Sequence, residues 1–533
     1  MKQWSLFLVF ALLGACKSTQ STLDSDFGYG PFAFKNYSGS IVCQAGGAFK
    51  PKSVEEIVTA IKYANQNSLN VRVVSLTAPR SYSPVICPKA GGFILDLQNF
   101  NQIIEIDKAA NTATVGPGIL LGDLQAQLHE SGFTFPVTPD YNGVSLAGSM
   151  ATGAHHSSLQ IPSDVASWVE SIKIVNSKGE LVELGKNDLA IGGVHLGLLG
   201  AIYQLKIKIL PQYKLRYGYI RESDTGLEDK IQDLVGAHDY ARVLWFPLQN
   251  KYILDYYDKV STDTPGDSVN NTWTAVPNIS WLGDLPVGVL NSSKLAQCGA
   301  ELARVNTFSG SFDVKNSDKN RPVGFSHQMI GGSCSPGKCS WDNGIKTRTV
   351  EVGFSLARVK DWMKDVRQLM AKRKACFPVL GIYMRFSAAA TSALSQARGE
   401  DTVVFEVHIP QTSNPQLEPS SDVYDEMVQL TLGKYDGRPH WAKNSFPYFL
   451  GLGSKQYPNF DQFEELRQRL DPDDLFLSPF WQSVRDQDSP SRTPWCGIER
   501  TCICKEDGEC GMKAKCEAGI FYKDAKICRR AAL

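Results

Sequence analysis

Val54, Ile57, Val58 and Ile61 fall on one face of a 3.6-residue period, and this spacing predicts a helix over residues 53–67. Ser53 and Glu56 are spaced for a capping box at its start. "VRVVS" (71–75), "GGFILDL", "QIIEID" and "TATVG" have the length and apolar content of strands, the last two joined by a polar turn at Lys108–Asn111. "GILLGDLQAQLHESG" turns Leu120, Leu121, Leu124 and Leu128 inward as a helix and stops at Gly132. "WVESIKIVNSKGELVEL" is a hairpin about Lys178–Gly179, and "GAIYQLKIKILP" alternates as a strand until Pro211. Strands and helices mix without strict βαβ alternation, so the pattern predicts an α+β fold rather than a doubly wound sheet. No GxGxxG follows a strand and opens a helix, which argues against a Rossmann dinucleotide site.

The texture changes near residue 216. Aromatic residues rise in "VLWFPLQNKYILDYYDKV", Pro, Asn and Gly loops interrupt 262–295, and regular patterns resume at "TRTVEVGFSL" and "ARVKDWMKDVRQLMAKR". This divides the chain into a domain over 40–215, a second over 216–430 and a closing segment over 431–487 that contains "FDQFEELRQRLDPDDLFLSPF". No internal repeat is present.

At the N-terminus, "MKQWSLFLVFALLGAC" sets Lys2 before an apolar run that is too short to span a bilayer and ends in small residues. "LGAC" resembles a bacterial lipobox, which predicts a lipoprotein signal peptide over 1–15, lipidation of Cys16 and a polar tether over 16–39. An ordinary signal peptide with a chance cysteine is the competing reading. Either one predicts export; the lipobox places the protein in the periplasm or on the outer membrane or cell surface, touching the membrane through its lipid anchor alone.

Charge and cysteine content narrow the picture. The 55 Lys and Arg balance 55 Asp and Glu in 533 residues, which gives no reason to expect nucleic acid or an acidic membrane as the main partner. Of 13 cysteines, six (Cys496, Cys502, Cys504, Cys510, Cys516, Cys528) crowd into 488–533. In an oxidising compartment they predict a small disulfide-stapled appendage of open connectivity. Zinc is the alternative, but this tail has no histidine and no paired CxxC spacing, so no metal site is expected.

The stretch "GSMATGAHHSSL" (148–159) has the wrong composition for a core. Glycines let backbone amides converge on an anion, and the hydroxyls add donors. Together with "VGPGILLGDLQAQL", "VHLGLLGAIYQLK", "RPHWAK" (438–443) and "LRQRLDPDDLF", it resembles the flavin-binding proteins of the vanillyl-alcohol oxidase and p-cresol methylhydroxylase superfamily, in particular the sugar-1,4-lactone oxidases. "GSCSPGKCSWDNG" (332–344) and the Cys-rich tail are similar to segments of the plant L-gulonolactone oxidase-like members. The resemblance implies an FAD-binding domain of p-cresol methylhydroxylase type plus an α+β substrate domain with an antiparallel sheet. It further implies FAD as cofactor, a sugar lactone or polyol as substrate, and O2 or another electron acceptor. It assigns cofactor contacts to Gly148, Thr152, Gly153, His155 and Ser157, with Gly116 and Gly118 nearby and Gly200 and Ile202 on the strand entry. Disulfides Cys43–Cys87 and Cys334–Cys339 follow from the same likeness.

Two departures stand out. Relatives often carry a histidine that bonds covalently to the flavin; here "SLTAPRSYSP" places Arg80-Ser81 at that position, so FAD is expected to bind without a covalent link, with Arg80 and Ser81 at the cofactor. Family members also often have Glu-x-Arg on a strand facing the flavin; here Tyr383 stands at the Glu position and Arg385 is kept, the plant-like members also tend to lack this Glu, and the missing carboxylate leaves room for a substrate other than L-gulono-1,4-lactone. Arg385, Lys443 and His440 are the expected catalytic set. His156 replaces a glycine of relatives and is expected to be exposed. The rival reading, motivated by the altered 75–84 loop and the tail, is a surface-anchored binding protein on a degenerate flavin fold; yellow purified protein would discriminate against it.

Overall fold

The computed structural model describes residues 28–77, 79–271, 285, 294–307, 310–331, 347–373, 376, 380–410, 421–452, 455–487, 492–511 and 514–530. Cys16 and the Cys334–Cys339 pair lie outside the described residues.

The helix Val54–Gln66 forms as its period requires, burying Ile57, Ala60, Ile61 and Ala64. Ser53 caps the Glu56 N–H at 3.3 Å, while the Glu56 carboxylate takes the Lys52 N–H at 2.7 Å instead of closing the box on Ser53. The helix packs on a four-stranded sheet in the order Gly28–Lys35, Val42–Phe49, Phe93–Leu95, Val71–Val73. The tether boundary therefore needs correction: residues 28–35 form the edge strand of this sheet, because Phe32 and Phe34 pack against Ala45, Val74 and Ile94. Cys43–Cys87 ties that sheet to the turn that follows Arg80.

A second, antiparallel sheet runs Leu181–Leu184, Val169–Val175, Ala201–Lys208, Thr112–Val115, Ile103–Asp107. The helix Leu121–Glu130 buries Leu121, Leu124 and Leu128, while Leu120 becomes its N-cap. The closing segment returns to this unit: Trp441, Phe449, Phe480 and Trp481 complete its core, with the Trp441 ring 4.9 Å from Phe449 and 5.5 Å from Trp481.

The largest sheet orders Val323–Phe325, Lys214–Ser223, Lys251–Val260, Tyr240–Phe246, Ile382–Ala388, Thr402–Pro410, Thr347–Ser355 and Arg438–Pro439, all antiparallel. Ser158–Pro162 joins it parallel to Ile382–Ala388. Period-2 alternation splits its faces. Val243 and Trp245, Met384 and Phe386, Phe405 and Val407, and Val350 and Val352 pack under the helices Leu227–Gly236, Val359–Arg373 and Ser421–Lys434. The alternate positions on the opposite face include Arg242, Tyr383, Arg385 and Glu406, which line a cavity. Cys298–Cys376, a pairing the sequence did not suggest, links the helix Lys294–Thr307 to the chain beyond Val359–Arg373. Among the described residues no helix is long and apolar enough to cross a membrane.

The appendage is stapled by Cys496–Cys502, Cys504–Cys516 and Cys510–Cys528. It docks on the outer face of Ser421–Lys434, where the buried Glu426 accepts the N–H groups of Ile520, Phe521 and Tyr522 at 2.6–2.8 Å. Glu426→Ala leaves three donors without a partner, a cost of about 1–3 kcal/mol. We expect a lower thermal midpoint and faster native-state proteolysis between residues 487 and 496; an unchanged cleavage rate would contradict this docking role.

Candidate active site

A cavity of about 720 Å³ lies between the N-terminal unit and the charged face of the large sheet. This volume is in the range of ligand and cofactor sites. Its two halves differ in chemistry.

The first half is lined by backbone and small residues: Ser81, Gly118, Ser145, Gly148, Ser149, Thr152, Gly197, Gly200 and Ile202 among them. Residues 148–151, read as loop from sequence, are part of a short helix, Leu146–Ala151. Several polar atoms here are buried with no partner among the described residues: Ser149 Oγ, His195 Nε2 and Arg72 Nε. The Nδ1 of His195 accepts the Gly197 N–H at 3.1 Å, which fixes the proton of the neutral ring on Nε2. Burial, then the neighbouring Arg72, pushes His195 down to about 4. Arg72 is itself buried and donates to the carbonyls of Val85, Leu196, Gly197 and Phe476. Unspent donors beside a buried cation suit a pyrophosphate anion, and the FAD expected from the sequence fits this half. The Arg80 guanidinium is sandwiched 3.7 Å from the Tyr37 ring and 4.1 Å from the Tyr141 ring.

The second half is a network of charge. Arg385 donates to Glu351 and to Glu406, the latter at 2.5 Å. Lys443 Nζ reaches Glu351 at 2.5 Å and Glu406 at 3.0 Å. His155 Nε2 lies 2.9 Å from the other Glu351 oxygen, and His440 Nε2 lies 3.9 Å from it. Burial works to raise Glu351, but Lys443, His155, Arg385 and His440 together hold it well below the usual carboxylate range. The Nδ1 of His440 accepts the Ala442 N–H, so the proton of the neutral ring sits on Nε2, on the side of Glu351; burial is the main force that brings His440 down to about 3, Glu351 opposing it and Lys443, His155 and Arg385 adding to it. Beside this group, Arg242 binds Asp255 through two hydrogen bonds and Asp140 through one, and the Tyr383 hydroxyl donates to Asp140 at 3.0 Å. Burial opposes ionisation of Asp140, and Arg242 followed by Arg385 outweighs it. His155, Glu351 and His440 are ligand types within metal-binding reach of one another, but two cations already occupy the Glu351 carboxylate, which opposes a third.

The structure thus brings Arg80, Ser81, Gly118, Gly148, Thr152, His155, Gly200, Ile202, Arg385, His440 and Lys443 to one cavity. Gly116, Gly153 and Ser157 do not line it. Gly116 lies so close to the Phe100 carbonyl that a Cβ would sit 2.3 Å from it, and Gly153 makes a turn at φ 70°. Ser157 donates to the Ala241 carbonyl and accepts the Phe386 N–H at 3.0 Å, pinning the loop to the sheet. His156 is not exposed: it is 2% accessible and lines the cavity. The sequence reading also missed Glu351, Glu406, Asp140, Arg242, Ser149 and His195. For Glu351, Glu406 and Arg242 a signal existed: each is a charge in alternating register inside an otherwise apolar strand, in "TVEVGF", "VVFEVHI" and "YARVLWF".

Residues 45–185 match the family described as FAD binding domain. Solved cholesterol oxidases share the fold: a solvent-stable enzyme at TM-score 0.65 and that of Brevibacterium sterolicum at 0.67, each 16% identical over 86% of this chain and 98% of theirs. The protein is an FAD-dependent oxidoreductase of the p-cresol methylhydroxylase fold. Residues 205–484, more than half of the chain, match the family described as D-arabinono-1,4-lactone oxidase, and the chain belongs to it. Residues 493–530 match the C-terminal domain of the L-gulonolactone oxidase 2-like family. L-gulonolactone oxidase 3 of Arabidopsis thaliana is 26% identical, covering 96% of this chain and 93% of its own length. The L-gulonolactone oxidase of Mus musculus is 23% identical (86% and 99%), and the L-gulono-1,4-lactone dehydrogenase of Mycobacterium tuberculosis 25% (85% and 98%).

His440 makes a pH prediction. It stays neutral when folded but takes a proton when unfolded below about pH 6.5. Its contribution to stability is therefore complete above that value and is lost as pH falls toward about 3. Over that window His440→Gln should flatten the stability profile by about 1.4 kcal/mol per pH unit. Urea titrations of the FAD-loaded proteins between pH 7 and 4.5 check this, and parallel profiles would contradict it.

Proposed function

We propose that the protein oxidises a carbinol of an aldono-1,4-lactone or a related polyol. The observation that carries this reading is the Arg385–Glu406–Lys443 array on the sheet face that closes the FAD cavity. FAD, when bound, accepts the hydride from the carbinol carbon. Arg385 and Lys443 supply fixed positive charge where negative charge develops, in a site that needs no reorganisation at the moment of reaction. Glu406 is an acceptor for the hydroxyl proton and lines the cavity. In this half Arg242, Arg304, Arg385 and Lys443 are matched by Asp140, Asp255, Glu351 and Glu406, a balance that favours a neutral, hydroxyl-rich ligand. Glu406 lies directly across the ladder from Tyr383 and so returns the carboxylate that Glu-x-Arg provides in relatives.

O2, giving H2O2, or another acceptor takes the electrons onward. FAD is held without a covalent link, because a guanidinium stacked between two tyrosines is no nucleophile. Export as a lipoprotein anchored at Cys16 agrees with the five disulfides among the described residues, which suit an oxidising compartment.

Arg385→Ala and Lys443→Ala should each slow anaerobic flavin reduction by L-gulono-1,4-lactone by about 10²–10³-fold while FAD content holds. Stopped-flow rates within threefold of wild type for both would refute the proposal. Acid precipitation should leave the yellow colour in the supernatant; a yellow pellet with flavin mapped to a peptide of this chain would refute the non-covalent link.

A further inference from the structure

His156 follows His155 in the glycine-rich stretch. The structure turns its ring into the cavity at 2% accessibility, its edge against Tyr240 at 5.3 Å between ring centres. Neither ring nitrogen has a hydrogen-bond partner among the described residues. A buried imidazole of purely structural use is normally paired on at least one side. The backbone here is fixed independently of the ring: the His156 N–H donates to Ser163 at 2.9 Å, and its carbonyl faces His155 Nδ1 at 2.9 Å. The side chain is thus held in place with both polar atoms unused.

Its surroundings define what it takes. Burial is the main force pushing His156 down, to about 3; Asp140 pulls it up, while Arg242, Arg385 and His155 add to the fall. The neutral ring offers one donor and one acceptor. Arg242 and Arg385 oppose a cationic group beside it, and Asp140 opposes an anionic one. A hydroxyl group, itself donor and acceptor, matches both. The nearby Tyr383 cannot fill this part, since its own hydroxyl proton is committed to Asp140.

We propose that His156 determines specificity by hydrogen-bonding a secondary hydroxyl of the substrate. The inference rests on the lactone or polyol reading above and adds the residue that reads the hydroxyl pattern. Losing one such contact, with the hydroxyl left unpaired in a buried site, lowers kcat/KM by about 10–100-fold.

The test compares wild type, His156→Ala, His156→Gly and His156→Asn, normalised to FAD content, with L-gulono-1,4-lactone and its 3-deoxy, 5-deoxy and 6-deoxy analogues. His156→Ala and His156→Gly should lose about 10–100-fold in kcat/KM on the parent lactone, mainly through KM. Either the 3-deoxy or the 5-deoxy analogue should be insensitive to these substitutions, while the 6-deoxy analogue, which lacks only the primary hydroxyl, should stay as sensitive as the parent. His156→Asn, which keeps a donor and an acceptor, should recover most of the loss. Parent kcat/KM within threefold of wild type overturns the inference, as do equal losses on all four compounds or a loss that follows FAD content. A wild-type flavin that none of these lactones reduces overturns the functional reading and this inference together. A reduced wild type with insensitive His156 variants overturns this inference alone.

Discussion

One buried carboxylate organises the site. Glu351 has no exposed surface, and its two oxygens serve four basic side chains from three separate stretches of chain. Removing a carboxylate from water costs several kcal/mol unless its partners arrive with good geometry. Strand Ile382–Ala388 must therefore deliver Arg385, the 155 loop must deliver His155, and the closing segment must deliver His440 and Lys443, all at once. The closing segment is fixed from two sides: the Glu351 carbonyl accepts the His440 N–H at 3.0 Å, and Asn444 bridges back to the Glu351 backbone. A displacement of any contributor strands the others around an uncompensated charge.

Legibility differed between the two halves of the cavity. Helix Val54–Gln66, the 169–184 hairpin and the glycine-rich stretch were readable because local periodicity and composition decide them. The motif residues Arg385, His440 and Lys443 were readable because their spacing is local. Glu406 was not, since its use depends on standing across from Tyr383, a register no local pattern specifies. His156 was misjudged for a related reason. Its neighbours in sequence are small and polar, which suggests a surface, yet the strand that follows enters the large sheet and carries the ring inside with it. Cys298–Cys376 was equally silent, because both residues lie in stretches where only tertiary folding brings them together.

The pairing of Tyr383 with Glu406 shows what change the sheet can tolerate. Alternate positions on adjacent strands sit side by side, so a carboxylate lost from one strand is replaceable by one on its neighbour without moving the ring of charge. The apolar face under the three helices is meanwhile untouched, because the two sets of residues never share a side of the sheet.

Ser157 and the strand after it have a consequence for how such a protein diversifies. The flavin loop is not merely placed next to the substrate sheet. Ser157 bridges two of its strands, Ser163 binds Ser387, and Ser158–Pro162 is itself a rung of it. The cofactor and substrate units therefore do not behave as interchangeable modules. A graft of either one onto a distant relative tears a strand out of a sheet, so new substrate preferences are reached by side-chain replacement on a retained frame rather than by shuffling domains.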